Sequence, residues 1–132
     1  MAIQFSVGVR NARVEAIEAI IGTSPLLEIR TGSQPADCAT ADSGTLLARL
    51  VLPSDWENSA SGGQVTKNGV WTGQCTTPGT ALYFRLKNST GTTCHMQGSV
   101  GFLTGDLPMD DNTLDLDQII TVSVFTLIDA NS

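Results

Sequence analysis

The sequence predicts a mostly β fold, a β-sandwich or jelly-roll-like barrel of about seven or eight short strands with one N-terminal α-helix. Three observations carry this. Apolar residues alternate with polar ones in short runs, and Gly, Pro, Asn and Asp punctuate the runs at regular intervals. The composition also favours strands and turns, with 13 Gly and only 15% charged residues, below the ~25% usual for soluble domains. At 132 residues the chain fits a single domain over 1–132, large enough to bury a core without staples.

Element by element, Ile3, Phe5, Val7 and Val9 alternate with Gln4, Ser6 and Gly8, which predicts an extended arm or edge strand over 1–9. A helix follows over 11–21. Asn11 is a suitable N-cap, and Val14, Ile17, Ile20 and Ile21 recur at helical spacing. Glu15 and Glu18 take the other face, Glu15 near the positive end of the helix dipole. Gly22 and Pro25 end the helix.

The β region spans 25–128. Leu27 and Ile29 face inward in the first strand, with Glu28 and Arg30 toward water. Residues 31–44 are turn-rich. Leu46 to Leu52 is a strand closed by Pro53, and 59–69 is a loop or loose hairpin containing Gly62-Gly63 and Asn68-Gly69. Val70 to Cys75 is a short strand holding Trp71. The clearest strand is Ala81 to Lys87, with Leu82, Phe84 and Leu86 on one face and Tyr83, Arg85 and Lys87 on the other. A turn at Asn88–Gly91 leads into a strand over 92–100, completing a hairpin. Residues 101–112 read as loop. Leu114 and Leu116 alternate with Asp115 and Asp117, and a final strand runs from Ile119 to Leu127 with Ile120, Val122 and Val124 on one face.

Charge excludes several functions. The net charge is −6, and the seven cations are scattered, so nucleic acid, which needs a basic patch, is not an expected partner. An anionic membrane surface is disfavoured for the same reason. No apolar run reaches the ~20 residues of a membrane span, and the first residues lack the pattern of a secretion signal, so folding in the cytoplasm is expected. The odd cysteine count, Cys38, Cys75 and Cys94 without CxxC spacing, fits neither a paired framework nor a zinc site. Buried or half-buried thiols are expected. A Cys38–Cys94 bridge, or a similar pair, stays open should the protein meet an oxidising exterior.

No catalytic constellation is visible, and no cofactor or metal site is expected. His95, the single histidine, neighbours Cys94 on a strand, which turns the two side chains to opposite faces and denies a Cys–His pair. Asp106, Asp110, Asp111, Asp115 and Asp117 lack the EF-hand spacing and read as turns and a solvated strand face. Trp56 reads as a plug folded over the core, and Trp71 as core or edge packing. Trp71 and Tyr83 exposed on one sheet face would instead favour a carbohydrate- or host-binding module. No phosphate loop, dinucleotide fingerprint or GxSxG elbow is present.

Several stretches carry a likeness. They are Ile3-Gln4-Phe5-Ser6-Val7, Arg10-Asn11-Ala12-Arg13, Glu15-Ala16-Ile17-Glu18, Ile21-Gly22-Thr23-Ser24-Pro25 and Leu27-Glu28-Ile29-Arg30-Thr31-Gly32. Leu52-Pro53-Ser54-Asp55-Trp56, Cys94-His95-Met96-Gln97-Gly98-Ser99-Val100 and Ser123-Val124-Phe125-Thr126-Leu127 continue it. Over nearly all its length the chain resembles a family of small proteins encoded among the structural genes of tailed bacteriophages and prophages. The resemblance implies a non-enzymatic virion component, made in the bacterial host cytoplasm. A head decoration (cement) protein, held on the major capsid protein by multivalent contacts, fits best. A tail, baseplate or fibre-attachment subunit is the alternative. Implied partners are other virion proteins and further copies of the chain, a trimer by analogy. Ile3, Phe5, Val7 and Val9 are the candidate partner interface, through strand addition.

Overall fold

A computed structural model describes residues 3–129. It is mostly β, with one helix and eleven short strands among the described residues: α1 (Val7–Ile21), β1 (Leu26–Arg30), β2 (Leu46–Val51), β3 (Gln64–Thr66), β4 (Trp71–Gln74), β5 (Gly79–Thr80), β6 (Tyr83–Lys87), β7 (Cys94–Phe102), β8 (Leu107–Met109), β9 (Thr113–Leu114), β10 (Ile119–Val122) and β11 (Thr126–Ile128). The main sheet has the order β2-β1-β6-β7-β8. Its first four strands are antiparallel, and β7 and β8 are parallel. An Ala48–Cys75 bridge brings the β4–β10 ribbon against β2, curling the assembly toward a barrel. Gly73 permits that approach, because a Cβ there would stand 2.9 Å from the Leu50 side chain. The β3–β11 ribbon forms a further layer, and the short β5–β9 pair completes the set.

One contiguous apolar core lies between these elements, built from Leu27, Ile29, Ala48, Leu50, Phe84, Leu86, Ile120 and Val122 among others. A chain of aromatic rings crosses it. Trp56 meets Trp71 at 6.2 Å between centroids, Trp71 meets Phe125 at 5.4 Å, and Phe125 meets Phe84 edge-on at 5.9 Å. Trp56 is fully buried, and its indole N–H donates to the Gly22 carbonyl at 3.0 Å, tying the end of α1 to the core.

The helix starts earlier than the sequence indicates, at Val7, and this corrects the 11–21 helix and the part of the 1–9 arm from Val7 on; residues 1 and 2 of that arm lie outside the described residues. Ser6 is the N-cap, its hydroxyl accepting from the Val9 N–H at 3.3 Å. Asn11 does not cap. Its carboxamide oxygen accepts from the Gly63 N–H at 2.7 Å, while Arg10 donates to the Asp129 and Gly62 carbonyls. These tertiary anchors draw 7–10 into helix despite the weak propensity of Val and Gly. Val14 and Ile21 are buried and Ile17 packs on the core, whereas Ile20 is exposed. With the start at Val7, Glu15 lies in mid-helix rather than at the positive end of the dipole.

Other boundaries shift for tertiary reasons. The final strand divides because β10 pairs with β4 and β11 with β3; between them Phe125 turns into the core and Val124 turns outward. Residues 107–109, read as loop, form β8. It lies parallel to β7 with only residues 103–106 between, where a parallel pair ordinarily needs a crossover of a dozen residues or more. Positive φ at Leu103 and Gly105 makes the tight return possible, and the Asp106 carboxylate accepts from the Ser99 N–H at 2.9 Å to fasten it. Leu82 lies outside β6 and is half exposed, because the strand begins at Tyr83.

Candidate functional site

The outer face of the main sheet carries the most elaborate polar arrangement. Antiparallel register places Glu28 beside Arg49 on one side and Arg85 on the other, and Arg85 beside Gln97. Residues 31–45 fold over this face. Glu28 is therefore buried, against the expectation that it faces water, and so are Tyr83, Arg85 and Lys87. Alternation told the sheet's two sides apart but not that a loop would cover the second.

Glu28 Oε1 accepts from Arg30 and Lys87, each at 3.0 Å, and Oε2 from Arg49 at 2.8 Å. Asp42, brought in by the loop, accepts from Lys87 at 2.7 Å and from Arg30 and Arg85 at 3.0 Å. Burial opposes the charge on Glu28, but the hydrogen bonds from Arg49, Lys87 and Arg30 outweigh it and hold the carboxyl below its usual range. Asp42 is held low by the same contest, burial against Lys87, Arg30 and Arg85. Lys87 is held high, since Asp42 and Glu28 outweigh its burial.

Backbone acceptors complete the closure. Arg85 donates to the Asp37 carbonyl at 2.9 Å, Gln97 to the Pro35 carbonyl at 2.8 Å, and the Tyr83 hydroxyl to the Ser43 carbonyl at 2.6 Å. This cluster fastens a loop to a sheet.

A second polar site lies between α1 and residues 55–59. A cleft of about 430 Å³ is lined by Glu15, Glu18, Asp55 and Glu57 with Asn58, Ser59 and Asn68. Glu18 accepts from the Glu57 N–H and Glu15 from the Ala60 N–H, both at 2.8 Å. The Glu57 side chain is buried, and neither carboxyl oxygen has a hydrogen-bond partner among the described residues. Burial, with the negative charges of Glu18 and Glu15 adding to it, pushes its pKa up to about 7. Nothing in the sequence marks Glu57, because its isolation depends on how the loop docks.

Of the remaining predicted residues, Cys38 and Cys94 line one cleft, and His95 and Cys75 lie elsewhere. His95 is exposed on β7, and Cys75 is buried apart from Cys38 and Cys94, which are half-buried. The acids of 106–117 act singly: Asp106 on Ser99, and Asp111 on the Thr113 N–H and Gln118. Among the described residues no three His, Cys, Asp or Glu side chains are placed to hold a metal ion. Trp71 and Tyr83 are each 1% exposed, so these two rings do not form the exposed aromatic face that would favour a carbohydrate-binding module. No helix among the described residues is long and apolar enough to cross a membrane.

Ile3, Phe5, Val7 and Val9 are all exposed, at 75, 44, 51 and 43%. They do not form one strand face, which corrects the predicted interface geometry. Val7 and Val9 lie in α1, where two positions turn the side chain through about 200°. Phe5 folds back beneath the Arg13 guanidinium, 5.0 Å from the ring centroid. No family model matches the chain, and neither a curated protein nor a solved structure matches it.

Proposed function

We propose that this protein is a non-catalytic structural component of a tailed-phage virion, and that it decorates the head by binding the major capsid protein. The observation that carries the reading is the likeness of the quoted stretches, spread over nearly the whole chain, to small phage structural proteins. The disposition of the side chains supports it. The buried charged groups bind loops to the sheet, and large apolar side chains stand exposed before the helix at Ile3 and Phe5, at the end of β7 at Phe102 and on the turn after it at Leu103. Copies repeated over a closed shell need only modest contacts of this kind, because each bound neighbour raises the effective concentration of the next.

The test is occupancy on particles. Protein identification on purified phage, followed by localisation in a particle reconstruction, is expected to place the chain on the head exterior; particles lacking it refute the virion reading, and tail density refutes the head. Deleting residues 2–5, which keeps the Ser6 cap but removes the Phe5 ring from Arg13, is expected to lower occupancy sharply and the melting temperature only slightly. Full occupancy by the truncated chain would remove Ile3 and Phe5 from the interface.

A further inference from the structure

Cys38 lies in the loop that covers the ionic cluster, and Cys94 opens β7 opposite Lys87. The loop is anchored on both sides of Cys38, by Gln97 and Arg85 at the Pro35 and Asp37 carbonyls and by Lys87 at Asp42. The two thiols line one cleft of about 370 Å³, where the Cys38 thiol raises the proton affinity of Cys94. Cys75, the third thiol, is buried and donates to the Thr77 carbonyl at 3.0 Å.

We propose that Cys38 and Cys94 are a reversible disulfide site that fastens the 31–45 loop to β7 when the protein passes from a reducing to an oxidising environment. The oxidant is a small-molecule disulfide such as oxidised glutathione. Burial first, and the Cys38 thiol second, push Cys94 up to about 11 and keep it protonated, which makes Cys94 a slow first attacker. The Cys38 thiolate, its proton given to solvent, attacks one glutathione sulfur, and the glutathione S–S bond breaks. One glutathione leaves as thiolate and takes up a proton. Cys94 then loses its proton to solvent and attacks the Cys38 sulfur, displacing the second glutathione. Two protein thiols become one disulfide, and one glutathione disulfide becomes two thiols.

The bond closes a long loop in the unfolded chain, so it stabilises the folded form. The inference concerns the chain alone and does not depend on the virion reading. The experiment incubates the purified full chain with oxidised glutathione and counts thiols after denaturation. Three titratable thiols are expected to fall to one. Peptide mapping is expected to link Cys38 to Cys94, and the melting temperature to rise by several degrees and return on reduction. C75S is expected to keep this response and C38S to lose it. Three thiols remaining, a stable glutathione adduct without an internal bridge, or a bridge that includes Cys75 would each overturn the proposal.

Discussion

Glu28 shows what one buried charge does here. It faces three cations, and removing its charge leaves Lys87 and Arg85 under the loop with Asp42 as their remaining carboxylate. Breaking a buried ionic set from one side costs about 3–5 kcal/mol, whereas an exposed pair contributes ~1 kcal/mol or less. E28Q is therefore expected to lower the urea midpoint several-fold more than R49A, whose side chain is half exposed. Glu57 acts in the opposite sense. Its folded pKa of about 7 lies above the ordinary 4.5, so between those pH values the folded chain holds a proton that the unfolded chain has released. Stability contributed by the neutral form is thus lost as pH rises from about 4.5 to 7, and E57Q, which cannot ionise, is expected to be more stable than the parent at pH 8 by about 1–2 kcal/mol. At pH 5 the difference should be small; urea melts at the two pH values decide it. Glu28 and Asp42, held low, lose their contribution only on further acidification through their folded pKa values. Neither Glu28 nor Glu57 could be singled out from the sequence, because burial on the outer side of a strand is set by what folds over it.

Elements were legible where the signal is local. Period-two alternation located β1, β2 and β6, and the Asn88–Gly91 turn located the hairpin to β7, which runs Cys94–Phe102 rather than 92–100, since pleat and turn chemistry involve only neighbouring residues. Failures came where a distant partner sets the outcome. Val7 to Arg10 became helix because Arg10 and Asn11 are held from residues 62, 63 and 129, and β8 became a strand because β7 was there to pair with it. At this scale S6A is expected to cost about 1 kcal/mol in a thermal or urea melt, the usual loss of a helix cap. G44A should cost more. A Cβ at Gly44 would fall 1.8 Å from the Thr31 carbonyl oxygen, at a φ of +65° that side chains rarely adopt. The expected signature is faster amide exchange confined to residues 32–44 and the strands beneath them.

Across the whole molecule, cations and anions are distributed unequally. All seven Lys and Arg side chains have partners: Arg30, Arg49, Arg85 and Lys87 in the ionic cluster, Arg10 and Arg13 at Asp129, and Lys67 at the Gly69 carbonyl and the Trp71 ring. Among the described residues, the exposed carboxylates of Asp55, Asp106, Asp110 and Asp115 form none of the salt bridges, which draw on Glu28, Asp42 and Asp129. Double-stranded DNA is accordingly expected to give no mobility shift with this protein at moderate salt, and a shift that weakens steeply with salt would contradict that. Fold class was readable at this scale because composition and turn spacing are properties of the whole chain; the curl of the sheet was not, because it rests on the single approach of β4 to β2. The clasp between Arg10 and residue 129 spans 119 positions. A chain emerging from the ribosome thus makes α1 first and completes its seat last. Residues 56–63 can hold the helix early, but the Arg10 and Arg13 contacts wait until residue 129 has left the exit tunnel. Co-translational protease sensitivity around Arg10 should therefore persist after the central hairpin has closed.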